Sequence, residues 1–308
     1  MTDVPAAPNV EPTVNPPGGV ELAPLPLTTW ARLRRNPLAF ASLVLLTVFV
    51  LAALFAPLLA PYPFAKQQLS NELAVPSREH LLGTDELGRD TLSRLIYGAR
   101  ISLSVAVVVE FFVVLFGLLV GLTAGYVGGR VDTLLMRATD VMLAFPDILL
   151  ALVLLGAFGT ANAAPLISVA LVVIALSVTG WPPLARLVRG QVLSLRKREF
   201  VEAARALGAT NGRIILRHIL PNLLSPILVA VTVDMAGVIL AEATLSFLGI
   251  GVQRPYPSWG RMINDGLENY RSEPRLVFYP AALLSLTVLA LNFLGDGLRD
   301  ALDPRRRG

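Results

Sequence analysis

Cysteine is absent from this 308-residue chain, and lysine and histidine occur only as Lys66, Lys197, His80 and His218. Disulfides, thiolate metal sites and cysteine nucleophiles are therefore excluded. A nucleotide-hydrolysing P-loop needs Gly-x-x-x-x-Gly-Lys-Ser/Thr so that its lysine reaches the terminal phosphates, and neither lysine follows a glycine. There is no His-Glu-x-x-His pair and no Gly-x-Ser-x-Gly elbow, which removes a zinc protease and argues against a serine-type enzyme. Charge is scarce as well: Asp, Glu, Lys and Arg make up 16% of the chain, against about 25% in soluble domains. An ordinary soluble enzyme, a disordered chain and a fibre are all ruled out.

What fills the chain instead is apolar sequence, 54% of residues with a mean hydropathy of +0.64. From Asn36 to Ala65 and from Ile148 to Ala185 no residue carries a formal charge. A bilayer core about 30 Å thick needs roughly 20 apolar residues of helix, so these runs predict an all-α, multi-pass membrane protein. Net charge is +4, with nearly every basic residue an arginine. Many of these arginines flank apolar spans, where they fix topology, so no nucleic-acid partner is expected. No cleavable signal peptide is evident: the first apolar run begins near Leu38, follows a proline-rich stretch and is too long for a signal h-region.

Six spanning helices are predicted, near Leu38–Leu59, Ile101–Gly121, Leu134–Leu155, Pro165–Trp181, Pro226–Leu248 and Val277–Phe293. Gly159-Thr160-Ala161-Asn162 supplies a turn between the third and fourth. Pro146 should kink the third. Placing the N-terminus in the cytoplasm puts most arginines inside, including those of the long Leu184–Leu224 loop, so both termini are expected to be cytoplasmic. The chain divides into a proline-rich tail (1–27), an interfacial helix starting at Thr28-Thr29-Trp30 with the first span and an outer loop (28–100), a transmembrane core (101–297) and a basic tail (298–308). No internal repeat points to the inverted-repeat transporters.

The inside loop is the most informative soluble segment. Glu199 to Leu207 is rich in helix formers, Gly208 is placed to end that helix, Asn211-Gly212 reads as a second turn, and Pro221 should close the unit before the next span. The result is a helical knob suited to a groove in a cytoplasmic partner. Glu202-Ala203-Ala204, Gly208 and Leu220-Pro221 then resemble the EAA signature of ABC importer permeases, with His218 standing where the pattern has isoleucine. Further stretches resemble the peptide/nickel branch of that family: Gly83-Thr84-Asp85-Glu86-Leu87-Gly88-Arg89-Asp90, Gly125–Asp132, Ala144-Phe145-Pro146, Ala241–Gly249, Pro257-Ser258-Trp259-Gly260 and Gly295–Pro304.

The resemblance implies a type I importer permease with a cytoplasmic coupling helix, in a prokaryotic inner membrane. It implies a homologous B-type permease as partner, two ABC ATPase subunits carrying ATP and Mg, and an extracytoplasmic substrate-binding protein. No cofactor is expected on this chain itself. By the same resemblance Glu202, Ala203, Ala204, Gly208, Leu220 and Pro221 form the ATPase-coupling loop, and Gly83, Asp85, Arg89, Asp90 and Trp259 serve as outer-loop contacts. The substrate would be a dipeptide, an oligopeptide or a related solute such as nickel.

A charge near mid-bilayer costs at least about 2.5–3.5 kcal/mol, so Glu110, Asp140, Asp147, Asp234 and Glu242 each need a reason. Asp140 and Asp147 are expected on almost one helical face, and Asp234 and Glu242 about 80° apart. The five either line a polar cavity contacting the amino group of a peptide or a metal cation, or make interhelical polar contacts, or lie at the headgroup level. Gly117, Gly121 and Gly125 form a small-residue stripe for close helix packing. Two rivals remain on sequence alone: a self-sufficient secondary transporter or channel using these acids as a proton relay, and a membrane-anchored scaffold.

Overall fold

The computed structural model describes residues 29–158 and 164–302. The proline-rich tail, the turn expected at 159–162 and the final residues of the basic tail lie outside them. The described residues are helical throughout, apart from loops and one isolated β-bridge between Thr84 and Asp90.

Helix α1 (Thr29–Arg35) leads into α2 (Pro37–Leu54), which begins where Asn36 accepts a bond from the Ala39 N–H and Pro37 fills the first turn. Trp30 of α1 is exposed, while Leu33 is buried. A short α3 (Ala56–Leu59) finishes the first span near its expected end. The long loop that follows delivers the chain to α4 (Thr91–Val127), whose N-cap Asp90 accepts from the Ser93 N–H at 2.8 Å. This helix is longer at both ends than the apolar pattern alone suggests. The third span is more than kinked. It breaks into α5 (Gly129–Leu143) and α6 (Asp147–Phe158), 81° apart. Pro146 disfavours helix at Phe145 and lacks the N–H that would continue the ladder, so α6 restarts at Asp147.

Helix α7 (Pro165–Leu195) continues through Pro182-Pro183 beyond the end expected at Trp181, forming one long rod with α4 packed along it. The stripe Gly117, Gly121 and Gly125 makes that approach possible: a Cβ on Gly121 would lie 2.6 Å from the Ala185 carbonyl oxygen and 2.7 Å from Val188 Cβ. The stripe therefore packs within the chain. After α7 come α8 (Glu199–Ala206) and α9 (Asn211–Ile214), then a π-turn over Ile215–Ile219, then α10 (Leu220–Phe247). Two expectations change here. Asn211-Gly212 opens a helix, capped by Thr210, instead of making a turn. Pro221 sits in the first turn of α10, where its missing N–H is harmless, so the chain runs on without closure.

Helix α11 (Trp259–Gly266) lies in the last loop. Helix α12 (Arg275–Leu302) runs past the end expected at Phe293 and carries residues 298–302 of the predicted tail as helix. Among the described residues, five helices are long and apolar enough to cross a membrane, and counting the bent α5–α6 pair as one span brings the number to six. The core lies between α4, α7, α10 and α12, around Val105, Val109, Val172, Val188, Ile239 and Leu291.

Candidate functional site

The knob at one end of the bundle is built by local rules. In α8, Val201 is the buried residue and belongs to the same apolar core as Ile214 and Ile219. The helix ends in a Schellman motif. The Gly208 N–H bonds to the Arg205 carbonyl and the Ala209 N–H to the Ala204 carbonyl, each at 3.0 Å. That closure needs Gly208 at φ +80°, a left-handed value that glycine adopts without penalty. Glu202, Ala203, Gly208 and Pro221 are exposed, and Ala204 and Leu220 half-buried. The knob is fastened to the bundle. Tyr126 at the end of α4 donates to Asn211 Oδ1 at 2.8 Å, and Arg196 donates to the carbonyls of Gly125 and Tyr126. Arg189 grips Asp132 through both carboxylate oxygens, and Arg186 pairs with Asp140 at 2.5 Å, tying α5 to α7.

Leu207, beside Gly208, is 89% exposed, the most of any large apolar residue described. Sequence reasoning passed over it because it reads as the last apolar residue of an amphipathic helix. Only the turn at Gly208 reveals that it points away from the bundle's core.

The intramembrane acids separate into groups. Asp140 and Asp147 share no helical face, because the chain breaks between them. Asp140 pairs with Arg186, and Asp147 accepts from the Ile148 N–H at 2.8 Å. Glu242 is fully buried; its oxygens accept from Ser246 Oγ at 2.7 Å and Ser102 Oγ at 3.0 Å, joining α10 to α4. That is an interhelical contact. Glu110 and Asp234 instead border one cavity of about 270 Å³, with Gly180, Pro183 and Leu187 of α7 and Ala230 and Gly237 of α10. Asp234 sits at the middle of α10 and is exposed on the free chain. Facing it to lipid carries the mid-bilayer penalty, so this side of α10 belongs against protein or water.

At the opposite end, the two long loops are riveted together by charge. Asp265 of α11 accepts from Arg254 at 2.9 Å and Arg261 at 3.0 Å, and meets Arg94 at 3.4 Å and Arg89 at 3.8 Å. Asp85 accepts from Arg89 Nε at 2.6 Å and pairs with Arg94 at 3.3 Å. Asp90 also receives His80 Nδ1 at 2.9 Å. Trp259 is fully buried against Gly98 and donates from Nε1 to the Leu95 carbonyl. Gly83 holds two backbone bonds beneath the Arg275 guanidinium. Gly83, Asp85, Arg89, Asp90 and Trp259 are thus buried, with Arg89 only 1% exposed. In the free chain they lock the loops onto the helices. Nearby Glu86 is pushed above the usual carboxylate range by burial and by its neighbour Asp85.

A six-span bundle with a rigid exposed knob at one end and riveted loops at the other is the architecture of a transport permease. Residues 117–308 match the family described as binding-protein-dependent transport system inner membrane component, and residues 27–76 match the N-terminal TM domain of oligopeptide transport permease C. The chain belongs to the binding-protein-dependent transport system inner membrane component family. It is 45% identical over 276 residues to the dipeptide transport system permease protein DppC of Alkalihalophilus pseudofirmus, covering 90% of this chain and 88% of that one. Over 276 residues it is 39% identical to the oligopeptide transport system permease protein OppC of Bacillus subtilis, with the same coverage. Among solved structures it is similar to the MetNI methionine ABC transporter in an inward-facing conformation. The TM-score there is 0.55 at 20% identity, covering 68% of this chain and 97% of that one. The fold is that of an ABC importer transmembrane subunit. The chain is a multi-pass inner-membrane permease of a binding-protein-dependent transport system.

Proposed function

We propose that this chain forms half of the passage of an ATP-driven importer of peptides, paired with a homologous B-type permease. The observation that carries the coupling role is the Gly208-closed knob, exposed at its tip and pinned to α4 and α7 at its base. In this reading the knob faces the cytoplasm, where the N- and C-termini also lie, and docks into a groove of an ATPase subunit. Glu202 anchors α8 there and Leu207 supplies the apolar plug. ATP and Mg reside on the ATPases. Because α9 runs through the π-turn into α10, a pull on the knob is carried as a rigid-body shift to the Asp234 face. Closure of the ATPases on ATP then switches the passage between inward- and outward-facing states. The binding protein delivers substrate at the riveted loop end. Relatives transporting dipeptides and oligopeptides support a peptide as cargo.

The test is reconstitution. Proteoliposomes holding the permease pair, the ATPases and the binding protein should take up peptide only with ATP, and removal of residues 199–209 should release the ATPases and stop uptake. Peptide flux from this polypeptide alone would establish the secondary-transporter reading in its place.

A further inference from the structure

Glu110 stands apart from the other acids of the spans. It lies at the middle of α4, is 3% exposed, and among the described residues neither of its carboxylate oxygens receives an N–H or a hydroxyl; its polar neighbour is the Asp234 carboxyl. Its neighbours among the acids are answered: Asp132 by Arg189, Asp140 by Arg186, Glu242 by two serine hydroxyls. Glu110 borders the cavity that Asp234 also borders, and the residues lining that cavity include no lysine, arginine or histidine.

A buried carboxylate whose polar neighbour is another carboxyl is expensive unless a proton, a cation or a donor completes the pair. Two carboxylates from two helices, converging at mid-depth on one cavity, ask for a ligand with a positive charge and more than one N–H. A metal ion fits less well, since among the described residues no three His, Asp or Glu side chains converge to hold one. We propose that Glu110 and Asp234 form a subsite for a protonated primary amine, namely the free amino terminus of the peptide in transit. This rests on the peptide reading above and adds the group that is recognised. The competing account is a pair of carboxyls that share one proton and take no ligand.

The experiment uses the assembled wild-type transporter. Dicyclohexylcarbodiimide, which modifies carboxyls in apolar surroundings, is applied and modification of Glu110 is quantified by mass spectrometry. Dialanine and methylammonium, each at about four times its dissociation constant, should slow modification about fivefold. N-acetyl-dialanine at the same concentration should not. Equal protection by the acetylated peptide, protection by magnesium chloride alone, or no protection by either amine would overturn the subsite. Glu110→Gln and Asp234→Asn should each cut dialanine uptake about tenfold, with binding-protein-stimulated ATP hydrolysis retained and Glu110→Asp partly restoring uptake. Should a variant not assemble, the wild-type labelling still decides. Wild-type uptake of dialanine separates the two levels of inference. If it is absent, the peptide reading fails, while the methylammonium arm continues to report on the subsite.

Discussion

Substitution at Gly208 isolates the backbone contribution to the knob. A Cβ placed there meets nothing within 4 Å, so a side chain on the free chain adds no clash, and the whole cost comes from holding an L-residue at φ +80°. That cost is about 1–2 kcal/mol for alanine, less for asparagine, which tolerates the left-handed region best, and most for a β-branched residue. A penalty of this size lowers the fraction of correctly closed knobs about 5- to 30-fold. The assay is the affinity of the ATPase subunits for the permease pair in lipid nanodiscs, read alongside ATP-driven uptake. Affinity and uptake should fall in the order Gly, Asn, Ala, Val. The amount of permease inserted should stay constant, because no buried contact is lost. If Gly208→Ala matched the wild type in both readouts, the left-handed turn would not be what the knob needs. If Gly208→Asn were worse than Gly208→Ala, side-chain bulk against the partner would be the cause.

Asp265→Asn removes one of the two carboxylates that Arg89 and Arg94 share, Asp85 being the other, and should cost about 1–3 kcal/mol, measured as a lower melting temperature of the purified complex. Gly121→Ala drives a methyl into Ala185 and Val188 and should cost about 1–3 kcal/mol by overpacking; normal yield and thermal stability would show that α4 and α7 separate easily. Glu242→Gln should lose about 1 kcal/mol of stability while uptake per assembled complex stays unchanged, in contrast to Glu110→Gln. Glu86 holds its proton more tightly folded than unfolded, so its contribution to stability is complete below its ordinary pKa of 4.5 and is lost as pH rises through the raised folded value. Glu86→Gln should therefore flatten part of the melting-temperature decline between acidic and neutral pH, and an unchanged pH profile would refute this.

Local rules account for much of what was readable along the chain. The apolar runs, Asn36 before Pro37, and Gly208 after a run of helix formers are settled by neighbours within a turn or two. The knob was legible for that reason. Helix ends were less so: α7 passes through Pro182-Pro183, and α12 outruns its apolar stretch, because packing along α4 and α10 outweighs the propensity of a few residues. The surroundings of the outer motif residues were not legible in the sequence. A string such as Asp85-Glu86-Leu87-Gly88-Arg89 looks like a polar surface until Asp265, far along the chain, is seen to meet its arginine.

Composition and periodicity alone decided that this polypeptide crosses a membrane several times as helix, and short-range turn chemistry decided that it carries a glycine-closed knob. Tertiary structure alone decided the fate of its acids. Glu242 found two serines, Asp140 found Arg186 across a broken span, and Glu110 and Asp234 were left facing one cavity. Such pairings join residues distant in sequence, and burial and charge become definite only once the helices have packed.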